Sequence, residues 1–181
     1  DAASARAGID ATLAAFGAIH IAVNCAGVGT AGKTLDRDSK ALPLETFAKT
    51  ININLIGTFN IASLAAEAMA KNAPDEDGQR GVIINTASVA AFDGQTGQAA
   101  YSASKAALFA FDQAAGRELK KLGIRVIDAR PGHTETGLAG RAIEGSPPAF
   151  APGMAPAQVS ARIIRAILNG ETSLPASEFT S

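Results

Sequence analysis

The run Gly81-Val-Ile-Ile-Asn-Thr-Ala-Ser88 is short, rich in branched apolar residues and closed by a serine. Such a run is typical of a buried strand in a parallel sheet. It is followed by Gln98-Ala-Ala-Tyr101-Ser-Ala-Ser-Lys105, an alanine-rich stretch that predicts a helix. Tyr101 is the only tyrosine of the chain, and Lys105 follows one helical turn later on the same face. The stretch therefore predicts a strand-to-helix unit that carries Ser88, Tyr101 and Lys105.

The same alternation of strand and helix continues outward from this unit. Branched apolar runs predict buried strands at 18–23, 82–87 and 124–129. Amphipathic stretches predict helices at 1–16, 44–71, from 99 or 101 to before 123, and 157–168. Polar residues 30–42 predict a loop, and Pro175 argues against a central strand in the final tail. This order predicts a single α/β domain over residues 1–181, with a parallel sheet covered by helices on both faces.

Composition excludes several classes of function. The 181 residues carry a formal charge of −1 without a basic cluster, which argues against nucleic acid as a partner. An apolar run of about 20 residues is missing, which argues against a membrane span. Cys25 is the only cysteine, and neither histidine lies in a cluster with metal-ligand spacing. Because the first residues also lack the layout of a signal peptide, we expect a cytoplasmic domain that acts on a small molecule without a metal.

Tyr101 and Lys105 together suggest acid–base chemistry. A free tyrosine ionises near pH ~10, and a lysine at i+4 on a helix favours the phenolate. A nearby serine hydroxyl such as that of Ser88 could hold the substrate oxygen that gains or loses the proton. The alternatives are a partly buried tyrosine with a solvated lysine, and a serine that caps the turn after its strand.

The predicted topology brings the other notable segments to the same edge of the sheet. Ligands of parallel α/β sheets bind beyond the carboxyl ends of the strands. The glycine-rich turn Asn24–Gly29, Ser88 and the segment Pro131–Thr136 all follow predicted strands. We therefore expect them to surround one site together with Tyr101.

Five motifs of the chain, taken in order and spacing, resemble the short-chain dehydrogenase/reductase family. They are Asn24-Cys-Ala-Gly27, Asn54-Leu-Ile-Gly57, Ser88, Tyr101-x-x-x-Lys105 and Pro131-Gly132. The resemblance implies a Rossmann-like fold and NAD(P)-dependent interconversion of a secondary alcohol and a ketone. Within the family, residues 54–105 are most similar to the branch that oxidises 3-hydroxyacyl-CoA and hydroxysteroid substrates. The opening strands and glycine-rich phosphate loop have no counterpart in the sequence, so an N-terminally incomplete fold is expected.

The resemblance also implies roles for individual residues. The expected catalytic residues are Asn54, Ser88, Tyr101 and Lys105, of which Ser88 and Tyr101 also bind substrate. The expected cofactor-binding residues are Asn24, Cys25, Ala26, Gly27, Tyr101, Lys105, Pro131, Gly132, Thr134 and Thr136. Lys105 would lower the pKa of Tyr101 and bond the nicotinamide ribose, while Asn54 would hold a water linked to Lys105. A structural alternative for Asn54 is a side chain satisfied by a backbone carbonyl.

NAD or NADP is the expected cofactor, with NAD slightly favoured by the resemblance. The resemblance further implies a homodimer or homotetramer formed through the helices at 44–71 and 101–122. The alternative function is a non-catalytic remnant that binds dinucleotide poorly and associates through the exposed edge of the strand at 18–23. A hydrolase built on Ser88 is disfavoured because the surrounding sequence lacks a Gly-x-Ser-x-Gly turn.

Overall fold

The computed structural model describes residues 1–143 and 151–179. Its helices and strands alternate along most of the chain. The helices are α1 (Ala2–Phe16), α2 (Leu44–Ile51), α3 (Gly57–Met69), α4 (Ala99–Lys120) and α5 (Pro156–Leu168). The strands are β1 (Ile21–Asn24), β2 (Gly81–Thr86), β3 (Ile124–Ala129) and β4 (Ser173–Leu174). Short 3₁₀ turns follow β2, β3 and β4 at Val89–Ala91, Ala139–Arg141 and Ala176–Glu178.

The four strands form one parallel sheet in the order β1-β2-β3-β4. Because parallel neighbours need a crossover, each connection passes through helical structure on a face of the sheet. The register places Asn24 opposite Asn85, Asn85 opposite Asp128 and Asp128 opposite Ser173. A row of polar residues therefore crosses the sheet near the carboxyl ends of its strands.

Alternation along the strands divides the core between the two faces of the sheet. Ile83 of β2 and Ile124 of β3 pack with Ala62, Ala65 and Met69 of α3 on one face, together with Ile9 of α1. Val82 and Ile84 of β2 pack on the other face with Ile127, Ala166 and Leu174. The predicted α/β sheet with helices on both faces is confirmed.

Local signals explain where several elements begin and end. The Asp1 carboxylate caps α1 by accepting a hydrogen bond from the Ser4 amide at 2.8 Å. Gly17 ends α1 in the left-handed region with φ 78°, which glycine adopts without a steric penalty. Pro156 opens α5, where a missing amide hydrogen costs nothing.

The segment predicted as one helix at 44–71 is helical but interrupted. A π-helical turn, Asn52–Ile56, separates α2 from α3, and α3 ends at Met69. The π turn is not visible in the hydrophobic periodicity, which continues through it. The apolar side of this amphipathic segment is only partly buried, because Leu44, Phe47 and Phe59 are exposed.

The end of the chain contains a strand where the sequence predicted only a tail. Ser173 and Leu174 pair with β3, and Pro175 follows directly. Since proline cannot donate to a sheet ladder, it limits this strand to two residues. The sequence therefore missed this short element, and β4 lies at the edge of the sheet rather than at its centre, as Pro175 predicted.

At the opposite edge of the sheet, β1 pairs with β2 and with no other strand among the described residues. Ile21 and Val23 are 55% and 53% exposed, whereas Ile83 and Ile84 of β2 are fully buried.

Within the described part of the chain, no helix is both long and apolar enough to cross a membrane.

Candidate active site

The carboxyl ends of the strands carry the predicted site residues. Ser88 follows β2, the turn that begins with Asn24 follows β1, and Pro131 follows β3. Tyr101 and Lys105 lie in the first two turns of α4. The expected grouping at this edge of the sheet is thus reproduced by the topology.

Tyr101 and Ser88 are brought together by β2 and α4. The hydroxyl of Ser88 hydrogen-bonds with the phenol of Tyr101, which favours the phenolate. Burial has the larger and opposite effect, so the pKa of Tyr101 lies above its ordinary value. The Ser88 hydroxyl also accepts a hydrogen bond from the Ala90 amide at 3.2 Å. Ser88 therefore caps its turn, as the structural alternative predicted, and also contacts Tyr101.

Lys105 is a buried cation at the end of β2. Its side chain is inside the protein, and Nζ donates a hydrogen bond to the Thr86 carbonyl at 2.6 Å. Nζ lies 5.7 Å from the centre of the Tyr101 ring. Burial lowers the pKa of Lys105 to about 8, although the negative charge of Asp112 acts to raise it.

The expectation that Lys105, helped by an oxidised nicotinamide cation, lowers the pKa of Tyr101 concerns the cofactor-bound site and stays a prediction. In the chain by itself, burial raises the pKa of the phenol and only Ser88 opposes that shift. The physical reason is that both side chains leave water, and burial disfavours the charged form of each. Near neutral pH the chain by itself therefore holds Tyr101 as a neutral phenol.

Asn54 lies in the π-helical turn and joins three segments. Its side-chain oxygen accepts from the Val28 amide at 2.8 Å, and its Nδ2 donates to the Val28 carbonyl at 3.0 Å. Nδ2 also donates to the Ser104 hydroxyl at 3.1 Å, which in turn donates to the Tyr101 carbonyl at 2.7 Å. The contact with a backbone carbonyl matches the structural alternative for Asn54, while a link to Lys105 through water stays a prediction.

Gly27 lies between Asn54 and Lys105. A β-carbon at this position would be 3.3 Å from Asn54 Oδ1 and 3.8 Å from Lys105 Nζ. A larger residue would therefore crowd the two polar groups that face the turn after β1. The glycine lets the backbone approach the catalytic candidates closely.

The remaining residues of this turn are less buried. Cys25 and Ala26 are exposed, and Asn24 is half-buried. The side-chain Nδ2 of Asn24 donates a hydrogen bond to Asn85 Oδ1 at 2.9 Å, which anchors the first residue of the turn to β2. The turn thus exposes its backbone and small side chains to solvent beside the candidate site.

The loop after β3 is organised mainly by its own contacts. Thr134 donates to the Gly132 carbonyl at 3.1 Å and forms a parallel bridge with Met154. Thr136 is exposed, and its amide donates to the Thr134 carbonyl at 2.7 Å. Pro131, Gly132 and Thr134 are half-buried and follow the carboxyl end of β3, so they lie at the same edge of the sheet as Ser88.

Sequence reasoning missed the polar residues behind the site. Asp112 of α4 is buried and accepts a hydrogen bond from Asn85 Nδ2 at 2.6 Å. The available signal was an aspartate two helical turns after Lys105, on the helical face that also carries the buried Leu108.

A second missed group lies directly before the Pro131 loop. The Arg130 guanidinium stands 5.3 Å from the centre of the Phe92 ring and 5.0 Å from that of Phe109. Arg130 also forms an ion pair with the buried Asp128. The distance between Arg130 Nε and Asp128 Oδ2 is 2.7 Å. These contacts tie the loop after β3 to the segment after Ser88 and to α4.

Taken together, the site offers a hydroxyl pair, a buried ammonium and a close-packed glycine turn. A phenol bonded to a serine hydroxyl can exchange a proton with a substrate oxygen. Within residues 1–143 and 151–179, no group of three or more His, Cys, Asp or Glu side chains could hold a metal ion.

Comparison with known proteins identifies relatives of the chain. A type-2 3-hydroxyacyl-CoA dehydrogenase of Bos taurus is 52% identical over 118 residues, which are 65% of this chain and 45% of that protein. The ipsdienol dehydrogenase of Ips pini is 35% identical over 137 residues, 75% of this chain and 54% of its own length. The chain therefore spans about half the length of the curated relatives it matches.

Solved structures agree with these relatives. The crystal structure of 3-hydroxyacyl-CoA dehydrogenase type-2 from Mycobacterium avium superposes with a TM-score of 0.78 at 29% identity. It covers 97% of this chain and 74% of that one. An NAD⁺-bound xylitol dehydrogenase has a TM-score of 0.65 at 29% identity over 76% of this chain and 49% of its own. The observed fold thus occurs in solved structures of dehydrogenases.

The family model described as short chain dehydrogenase matches residues 1–146. These residues include β1, β2, β3 and α4, and with them every site residue discussed above. Since the match takes in well over half of the chain, the protein belongs to the short-chain dehydrogenase family.

Proposed function

We propose that the chain carries the alcohol-oxidising site of an NAD(P)-dependent oxidoreductase that interconverts a secondary alcohol and a ketone. The observation that carries the proposal is the phenol of Tyr101 in hydrogen-bond contact with Ser88, with the buried ammonium of Lys105 one helical turn away. The relatives reported above are named as dehydrogenases, which supports the same reaction class.

Tyr101 acts as the general acid or base in this proposal. In ketone reduction, its phenol gives a proton to the carbonyl oxygen; in alcohol oxidation, its phenolate takes the hydroxyl proton. Ser88 holds the same oxygen by hydrogen bonding. Because burial raises the pKa of Tyr101, we expect alcohol oxidation to accelerate with rising pH, while the neutral phenol serves ketone reduction at pH 7.

The residues around the site fit the nicotinamide end of a dinucleotide. Bound NAD(P) would supply the hydride acceptor or donor. Lys105 would bond the nicotinamide ribose, and Gly27 lets the turn after β1 lie close to Asn54 and Lys105. Asn24, Cys25 and Ala26 would line the adenosine ribose, and Pro131, Gly132, Thr134 and Thr136 would hold the carboxamide. NAD is slightly favoured over NADP by the resemblance of the sequence.

A 3-hydroxyacyl-CoA or hydroxysteroid-like alcohol is the first substrate class to consider. Support comes from the 52% identity to type-2 3-hydroxyacyl-CoA dehydrogenase over 118 residues. A small molecule is the proposed partner, and neither nucleic acid nor a membrane is needed.

We further propose a homodimer or homotetramer formed through α3 and α4, in a cytoplasmic setting. Phe59 of α3 is 52% exposed and makes an edge contact with Phe111 of α4, the two ring centres 5.7 Å apart. Leu122, just beyond α4, is 50% exposed. A second copy that covers these side chains would remove apolar surface from water.

The direct test is turnover by the 181-residue chain. Purified protein would be mixed with millimolar NAD⁺ or NADP⁺ and a panel of a 3-hydroxyacyl-CoA, a hydroxysteroid and a sugar alcohol, and reduced nicotinamide followed by absorbance. We expect at least one alcohol to be oxidised, with a rate that increases with pH. Well-folded protein that oxidises none of them at any pH would favour the non-catalytic remnant.

A further inference from the structure

Asp112 is a carboxylate held inside the protein behind the proposed site. It is only 4% exposed, and Oδ1 accepts a hydrogen bond from Asn85 Nδ2 at 2.6 Å. Its second oxygen, Oδ2, has no hydrogen-bond partner among the described residues. A carboxylate in such a position costs folding free energy, which suggests that it serves a purpose other than stability.

Asp112 determines the direction of a hydrogen-bonded row. An ionised carboxylate can only accept, so the NH₂ group of Asn85 must point towards it. The carbonyl oxygen of Asn85 is then turned to Asn24, whose NH₂ group donates to it at 2.9 Å. The row runs from α4 through β2 to the end of β1 and fixes the first residue of the turn at 24–27.

The same helix face carries Lys105, two turns before Asp112. Lys105 is 5% exposed, and Nζ donates to the carbonyl of Thr86, the residue after Asn85. α4 therefore holds the end of β2 at two points, once by a buried cation and once by a buried anion. Nζ of Lys105 and the Asp112 carboxylate do not form a direct ion pair, and their charges attract each other at longer range in surroundings that screen them weakly.

All elements packed around Asp112 contribute charged or polar groups. Asn85 of β2 and Lys105 of α4 favour the carboxylate, while the charge of Asp128 on β3 disfavours it. Arg130 pairs with Asp128 and thereby offsets part of that repulsion. Burial has the largest effect and raises the pKa of Asp112 to about 7, while it lowers the pKa of Lys105 to about 8.

We propose that Asp112 is a positioning residue of the site, which acts as the buried counter-charge of Lys105 and, through Asn85, orients Asn24 in the cofactor-facing turn. The catalytic part of this role rests on the proposed dehydrogenase function, and the electrostatic part does not. Loss of the carboxylate would leave Lys105 as an isolated buried cation, which readily gives up its proton.

The electrostatic part can be tested without turnover. The ¹³Cε resonance of Lys105, assigned by its loss in Lys105→Arg, would be titrated in wild-type protein and in Asp112→Asn. Wild-type Lys105 should titrate at about 8, and Asp112→Asn should lower the midpoint by about one pH unit. Asp112→Glu, which keeps the charge, should restore most of it. An unchanged or raised Lys105 midpoint in Asp112→Asn would overturn the proposal. If Asp112→Asn does not fold, a Lys105 midpoint about one pH unit below wild type in Asp112→Glu would overturn it as well.

The positioning part is tested by cutting the row at its far end. Asn24→Ala keeps the charge of Asp112, so the Lys105 midpoint should stay within about 0.3 unit while the KM for dinucleotide rises several-fold at nearly constant kcat. A fall in kcat without a change in KM would contradict this part. If the Lys105 midpoint shifts as expected but wild-type protein shows no turnover, the electrostatic role stands and the dehydrogenase proposal fails.

Discussion

The interior of the α4–β2 region and the exposed edge of β1 are built in opposite ways. Around α4 and β2, Asn54, Asn85, Lys105 and Asp112 are each more than nine-tenths buried and each has a hydrogen-bond partner. At the edge of β1, apolar side chains are half-exposed and the strand pairs on one side only. The proposed acid–base residues thus lie beside a buried, hydrogen-bonded interior, whereas the turn after β1, which we propose faces the cofactor, is close to the surface.

The largest expected effect breaks the chemistry of the buried region and leaves its packing intact. Tyr101→Phe removes the phenol oxygen and should lower kcat by about 10²–10⁴-fold, because proton transfer to the substrate oxygen is lost. Ser102→Ala is the matched control, since the buried Ser102 hydroxyl has no hydrogen-bond partner among the described residues and its loss should change kcat less than about twofold. Steady-state rates for both variants decide the point, and equal rates for the two would refute the role of Tyr101.

The next effect is on stability and concerns the junction between the two regions. Asn54→Ala leaves the amide and carbonyl of Val28 and the hydroxyl of Ser104 without their partner, at a cost of about 1–3 kcal/mol. Asn52→Ala, on the exposed side of the same π turn, should stay within about 0.5 kcal/mol of wild type. Urea unfolding gives both values. A loss below about 0.5 kcal/mol for Asn54→Ala would mean that the turn after β1 is not held by this side chain.

A smaller effect, in pH dependence, tests the cost of the buried charge. Burial raises the pKa of Asp112 from 3.8 to about 7, because the folded protein favours the protonated side chain. The stability that comes from this preference is fully present below about pH 4 and is lost as pH rises through 7. Over that window the unfolding free energy of wild-type protein should fall relative to Asp112→Asn, with a slope of at most about 1.4 kcal/mol per pH unit. Parallel pH dependences for the two proteins would show that Asp112 titrates normally.

The smallest effect concerns the exposed edge. Half-exposed Ile21 and Val23 on a one-sided strand favour pairing between copies of the chain. Val23→Lys should reduce large assemblies several-fold in sedimentation velocity and leave a dimer formed through α3 and α4. Phe59→Glu, on the helices, should instead dissociate that dimer. If Val23→Lys leaves the size distribution unchanged, the edge does not drive association.

The sequence predicted the buried region well because its signals are local. Continuous branched runs identify β2 and β3, and the Tyr101 to Lys105 spacing identifies one face of α4. Family resemblance then supplied Asn54, which periodicity alone would not single out. The π turn around Asn54 could not be predicted, since its sequence continues the helical pattern on both sides.

Long-range contacts account for the remaining misses. The hydrogen-bonded row from Asp112 to Asn24 joins residues that are far apart in sequence, because sheet register pairs Asn24 with Asn85 and the packing of α4 on the sheet brings Asp112 to Asn85. The balance of burial against charge at Tyr101 depends on how deeply the side chains are packed, and i+4 spacing alone does not give that depth. The two-residue strand β4 forms because β3 offers a free edge, although its own sequence is too short to predict a strand.

The central claim is that the buried region is a working alcohol-oxidising site, and transfer of deuterium from substrate to cofactor tests it most directly. A secondary alcohol with deuterium on its carbinol carbon would be incubated with NAD⁺ and the 181-residue chain, and the nicotinamide product analysed by mass spectrometry. The account predicts one deuterium per reduced nicotinamide, formed above the level seen with Tyr101→Phe. Label that never reaches the nicotinamide, or that reaches it equally with Tyr101→Phe, would contradict the account.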